Sequence, residues 1–233
     1  MKTGQKYSIL LSLYLAQSIP MSFFSTVLPV IMRMEAYSLT SIGMIQLIKI
    51  PWIIKFIWGP IVDHNARDNM HYRRWIIGSE VFYAVVIVAI GFFDLQNSFS
   101  TIIVLMIIAF VISSIQDIGS DALAVRILRK KERSMGNSMQ SSGNFLGTLF
   151  GSGVLLYLYT IVGWQHLMLL LSGIVLIALI PVSRYKESRD QQPIVHKEKR
   201  IAFSNIFGFF RQKSIGKRVV LLVIFYAGLI GIL

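Results

Sequence analysis

An all-α, polytopic membrane helix bundle is the fold class this sequence predicts, and three observations carry that expectation. Apolar runs of spanning length follow one another from Tyr7 onward. The composition is 55% hydrophobic against 15% charged, with a mean hydropathy of +0.64. Lys and Arg collect in alternate gaps between the runs. About 20 apolar residues, at ~1.5 Å rise each, cross a bilayer core. The net charge of +12 is therefore read as a topology signal and not as a nucleic-acid surface. With no Cys, and with His64, His71, His166 and His196 scattered, disulfide, thiolate and metal chemistry are not expected, and no cofactor is implied.

In chain order, Tyr7 to Met32 is too long for a signal-peptide core and lacks a small-x-small cleavage site, so it reads as the first span. The second runs from about Leu39 to Val62, interrupted by Lys49, Pro51 and Lys55. The third is Trp75 to Phe93, the fourth about Ser100 to Leu128, the fifth about Ser134 to Ile161 and the sixth Trp164 to Val182. Residues 1–183 are thus expected to form a six-helix bundle, 184–217 a basic linker, and 218–233 the start of a seventh helix that is cut short.

The fourth span decides the character of the bundle. Its apolar run Thr101 to Ile115 leads straight into Gln116, Asp117, Ser120 and Asp121. Asp117 falls roughly 15 Å inside the nearer helix end, and Asp121 stands one turn closer to that end on the same face. An ionised carboxylate near mid-membrane costs about 2.5–3.5 kcal/mol even on the lenient insertion scale, so this face is expected to look into the bundle.

Lys55, eight residues in from Asp63, lies about 12 Å deep and is expected to meet Asp117, either as a structural ion pair or as a pair that exchanges partners or carries a proton. Asp121 reads as a partner of Arg67 or Arg126 at an inner gate. Lys49, about 21 Å deep, is a ligand for an anionic solute group, a partner of a residue outside this chain, or a buried neutral lysine. Gln17, Lys49, Gln116, Gln140 and Asn144 are the candidates for lining a solute cavity, with helix packing as the alternative for Gln17 and its neighbouring serines. Gly143, Gly147 and Gly151 leave one side of the fifth helix as nearly bare backbone, which suits either a sliding surface or static packing. Glu80 is expected to pair with Arg73 or Arg74, one or two turns away.

Several segments resemble known patterns. Gly59, Asp63 and Arg67 stand in the register of Gly-x-x-x-Asp-x-x-Gly-Arg, the loop signature between helices two and three of the major facilitator superfamily, with Ala66 in place of the second Gly. Tyr14-Leu15-Ala16-Gln17-Ser18-Ile19-Pro20, the segment from Pro51 to Asp63, Gln116-Asp117-Ile118-Gly119-Ser120-Asp121-Ala122 and Gln140-Ser141-Ser142-Gly143 are similar to motifs of the AmpG-like muropeptide permeases and their acetyl-coenzyme A transporter relatives. The resemblance covers roughly residues 14–182. It implies a carrier of two six-helix halves rocking about a central cavity, coupled to protons, in a cell membrane such as the bacterial inner membrane. This chain would be the first half, and its partners would be a small organic solute, protons, the bilayer and the missing second half. Gly59, Asp63, Arg67 and Arg126 would form the cytoplasmic gate. A sugar-peptide and a nucleotide thioester both remain open as solutes. A membrane-embedded transferase is the reading from another class, and no clustered nucleophile or ligand set in the sequence favours it.

Orientation follows from the basic residues. Lys2 and Lys6, then Arg67, Arg73 and Arg74, then Arg126 to Arg133, then the segment from Arg184 to Arg218 fall on one side, and Arg33 alone on the other. This places the N-terminus in the cytoplasm. A reporter fused after Asp94 or Gly163 is expected to read as outside and one fused after Asp190 as inside; the reverse pattern would overturn the depths given above.

Overall fold

In the computed structural model, residues 3–59, 62, 69–95, 97–185, 215–218, 220, 221 and 224 are described. Chain contacts divide the molecule into two compact units, Met1–Ile194 and Val195–Leu233. The described residues of the second unit are helical. The predicted seventh helix and the basic linker lie largely outside the described residues.

The first unit is all helix among its described residues. α1 (Thr3–Met34), α2 (Leu39–Ile57), α3 (Asn69–Gly91) and α4 (Phe99–Ile127) are followed by a 54-residue helical stretch, Lys130–Ser183, and all five are long and apolar enough to cross a membrane. That last stretch is two helices joined across a kink. Gly163 takes φ 73° and ψ −179°, a backbone region open in practice only to glycine, and it divides α5 (residues 133–162) from α6 (residues 164–183). The gap expected between the fifth and sixth spans is therefore a single reversed residue.

Prolines shape the first two helices. Pro29 has no N–H to offer the carbonyl of Ser25, and α1 widens into a π turn over Phe23–Val27 just before it. The freed Ser25 carbonyl accepts from Gln46 Nε2 of α2 at 3.3 Å. α2 is not the uninterrupted helix expected: around Pro51 it passes through 3₁₀ turns at Gln46–Lys49 and Lys55–Ile57, with a non-helical Ile54 between the last pieces. α3 begins at Asn69, earlier than its apolar run, because Arg73 binds the carbonyls of Val182 and Ser183 at the end of α6 and holds that polar first turn in helical form.

α1 is the central post. Its tightest neighbour is α5, where the glycine stripe lies directly on its backbone. A Cβ at Gly143 would stand 2.9 Å from the Leu11 carbonyl oxygen, one at Gly147 2.6 Å from Ser18 Cβ, and one at Gly151 2.3 Å from the Ile19 carbonyl oxygen. Gly91 of α3 meets Met168 of α6 in the same way, at 2.7 Å. In lipid, where apolar side chains gain nothing by leaving the solvent, such close approach is what holds helices together.

The core forms two apolar clusters. One, away from the basic end, contains Phe23, Phe24, Ile87, Phe110 and Met168, with Phe23 and Phe24 edge to face at 5.3 Å. The other, at the basic end, contains Ile9, Leu10, Ile76, Leu123 and Val182. On α1, α3 and α4 the residues between the clusters are polar: Gln17 and Ser18; Ser79 and Glu80; Ser113, Ser114, Gln116, Asp117 and Ser120. A polar layer thus crosses the bundle between two dry ones.

The glycine contacts yield a direct test. Gly151→Ala forces a methyl group into the Ile19 carbonyl and is expected to cost about 1–3 kcal/mol, read as a lowered melting temperature of the full-length protein in detergent. Gly153→Ala, two residues on, meets nothing within 4 Å and is expected to leave it unchanged.

Candidate polar site between the apolar clusters

α1 and α4 run antiparallel, and their polar residues meet in register. Gln17 Nε2 donates to Asp117 Oδ1 at 2.8 Å, and one turn nearer the basic end the Tyr14 hydroxyl donates to Asp121. The spacing of four between the acids on α4 matches the spacing of three between Tyr14 and Gln17 on α1, because both lie within about one helical turn.

Asp117 is the deepest charge of the site and only 4% exposed. Its second oxygen receives Lys55 Nζ of α2 at 2.5 Å. The Lys55 side chain is 37% exposed, and its ammonium lies 5.4 Å from the centre of the Trp52 ring. The pair thus joins a buried carboxylate to a lysine that still reaches open space. Its asymmetry has a structural origin, since Lys55 begins a 3₁₀ turn after the break at Ile54 whereas Asp117 sits within a regular helix. Trp58 Nε1 donates to Ser114 Oγ at 2.8 Å, and Ser114 Oγ donates to the Val111 carbonyl at 2.7 Å, which ties the end of α2 to α4 one turn from Asp117.

α5 joins from the other side. Gln140 Nε2 donates to the Tyr14 hydroxyl at 2.9 Å, and Ser18 Oγ donates to Asn144 Oδ1 at 2.5 Å. The result is two connected sets: Lys55, Asp117 and Gln17 across α2, α4 and α1, and Asp121, Tyr14 and Gln140 across α4, α1 and α5. At the basic rim Lys6 pairs with Glu132 at 2.6 Å, and the same carboxylate receives the Arg129 amide at 2.8 Å. This closes the end of α1 against the turn that leads into α5.

Other expected residues are placed differently. Gln116 is 1% exposed, about 100° round the helix from Asp117, and neither end of its amide has a partner among the described residues. Lys49 is half-buried in a 3₁₀ turn of α2 and has no ion pair among the described residues. Gly59 is half-buried and Arg126 half-buried at the end of α4. Asp63 and Arg67 lie outside the described residues.

Glu80 requires a correction. It is 1% exposed and not paired with Arg73 or Arg74. Arg73 is engaged at the end of α6, and Glu80 stands two turns deeper with one carboxyl oxygen unpartnered among the described residues. By the contact of Gly119 with Ile76 across α3 and α4, Glu80 lies at the depth of Gln116. Tyr14 and the Lys6–Glu132 pair were not singled out from the sequence. The position of Tyr14, one turn before Gln17 and within the same motif, was the available signal for it.

A bundle of long apolar helices with paired charges at mid-depth defines a multi-pass membrane protein. The Major Facilitator Superfamily model matches residues 10–233, and the chain belongs to that family. It is 26% identical to the anhydromuropeptide permease of Escherichia coli (strain K12) over 223 residues, which is 95% of this chain and 45% of that protein. It is 36% identical to the putative transporter AmpG 3 of Rickettsia prowazekii (strain Madrid E) over 139 residues, covering 55% of this chain and 32% of the relative. It is also 34% identical to the uncharacterized membrane protein YBR220C of Saccharomyces cerevisiae over 89 residues, covering 37% and 16% respectively. The chain spans about half the length of the E. coli permease it matches.

Proposed function

We propose that this chain is the first half of a secondary carrier that moves a small organic solute across the membrane by alternating access, coupled to protons, with its N-terminus in the cytoplasm. The observation that carries the reading is the Lys55–Asp117 pair: a carboxylate 4% exposed, joined across two helices to a lysine still open to solvent. When α2 and α4 move relative to one another, separating the pair leaves the buried Asp117 charge without its counter-ion, a state that costs several kcal/mol. A proton on Asp117 removes that charge. The pair therefore links helix movement to proton uptake, with Asp117 as the acceptor and Lys55 as the counter-charge that makes release favourable. Gln17, donating to the same carboxylate, orients it in this conformation.

Gln140 and Asn144 on α5, together with Lys49, are the groups that would face the solute. The likeness over 95% of the chain to a protein named an anhydromuropeptide permease supports a sugar-peptide as that solute. A nucleotide thioester carrier of the same family is the alternative, distinguished by competition between the two solutes. Asp63 and Arg67 would latch the cytoplasmic side.

Asp117→Asn in the full-length carrier, reconstituted in proteoliposomes with an imposed pH gradient, is expected to abolish uphill uptake while exchange between equal pools continues. Lys55→Ala is expected to mimic it in part. Undiminished uphill uptake by Asp117→Asn would remove this residue from the coupling.

A further inference from the structure

The flank of α3 and α4 carries a groove of about 580 Å³ that the polar site does not use. Its floor is mostly apolar: Trp75, Gly78 and Phe82 from α3, with Ile112 and Ile115 from α4 and Ser79 among them. At its basic end stand His71 and Arg74. Phe82 is 52% exposed, and Gly78 is exposed with nothing within 4 Å of where its Cβ would be, so the groove opens outward from the bundle. From Arg74 to Phe82 it runs eight residues, about 12 Å along the helix.

We propose that this groove binds a phospholipid with a net negative headgroup, its phosphate on Arg74 and the first part of an acyl chain laid along Gly78 between Trp75, Phe82 and the two isoleucines. The inference rests on charge and shape, and not on the transport reading. The groove opens outward from the bundle, where a membrane offers it lipid, and the question is which lipid it selects. Among the described residues no acidic one lines it. Glu80, on the same helix, is 1% exposed on its inner side, and Arg73 is committed to the α6 carbonyls. Arg74 is thus an exposed guanidinium at a membrane rim with no carboxylate bound to it among the described residues. Its planar donor fork suits a phosphate, and basic pockets between helices at the membrane rim are where acidic headgroups bind. The missing side chain at Gly78 deepens the groove beside that cation at the point where a chain leaves its headgroup.

Native mass spectrometry of the full-length protein in detergent, given equal amounts of phosphatidylglycerol and phosphatidylcholine, tests the assignment. The wild type is expected to retain phosphatidylglycerol about fivefold over phosphatidylcholine, the ratio equivalent to about 1 kcal/mol for one arginine at the membrane surface. Arg74→Gln is expected to bring that ratio close to one. Gly78→Leu, whose Cβ would meet nothing within 4 Å and whose side chain would occupy the groove, is expected to release the bound lipid while leaving Arg74 in place. Lys131→Gln, in the exposed turn before α5, is expected to retain the preference. Equal retention of the two lipids by the wild type would overturn the proposal, as would an effect of Lys131→Gln equal to that of Arg74→Gln or undisturbed lipid retention in Gly78→Leu.

Discussion

Asp117 is almost wholly buried in a helix that lies in hydrocarbon, and an isolated charge there would cost more than most single contacts in the bundle return. Its compensation draws on two other helices: Gln17 from α1 and Lys55 from α2. Because those partners have fixed lengths, the compensation fixes the depth at which α1, α2 and α4 sit against one another. The apolar clusters above and below are then divided at that depth, and the same residues that make the site also separate the core into two layers.

That polar layer has consequences for the helices carrying it. α1 can bring Tyr14, Gln17 and Ser18 toward α4 and α5 together only if α5 comes very near, and Gly143, Gly147 and Gly151 provide the space. The stripe is in tight backbone contact in this conformation, which is how a static packing surface looks. A sliding surface would have to release those contacts in another state. Pro29 and Pro51 act in the opposite sense. They open α1 and α2 locally, and Gln46 takes up the carbonyl that Pro29 leaves free. α2 is thus the least regular of the spans and carries Lys55, the mobile partner in the proposed coupling, whereas α4 is an unbroken helix and carries Asp117.

Much of this was legible in the sequence because charge in a lipid-soluble run is a strong signal. Asp117 and Asp121 announced an inward face by their spacing, and counting from Asp63 brought Lys55 to the depth of Asp117. The succession of long apolar helices and the glycine stripe followed from apolar length and from period four. Uncharged partners were much less legible: a Tyr or Gln in an apolar helix costs little enough to face several ways, so the hydrogen bonds of Tyr14 to Asp121 and Gln140 to Tyr14 needed coordinates. Glu80 was misassigned because helical periodicity gives the face a residue shares but not whether a side chain spans two turns. Arg73 found carbonyls nearer at the end of α6, a tertiary contact that no local pattern encodes.

The central claim is that the charge state of Asp117 follows the movement of Lys55 away from it. Infrared difference spectroscopy of the full-length carrier, driven between its two facing states by a pH step, reads this directly. The account predicts a protonated carboxylic acid band that appears in the outward-facing state, disappears in the inward-facing state and is missing in Asp117→Asn. A spectrum in which no band depends on Asp117 would show that its charge state does not change between the two states and would contradict the account.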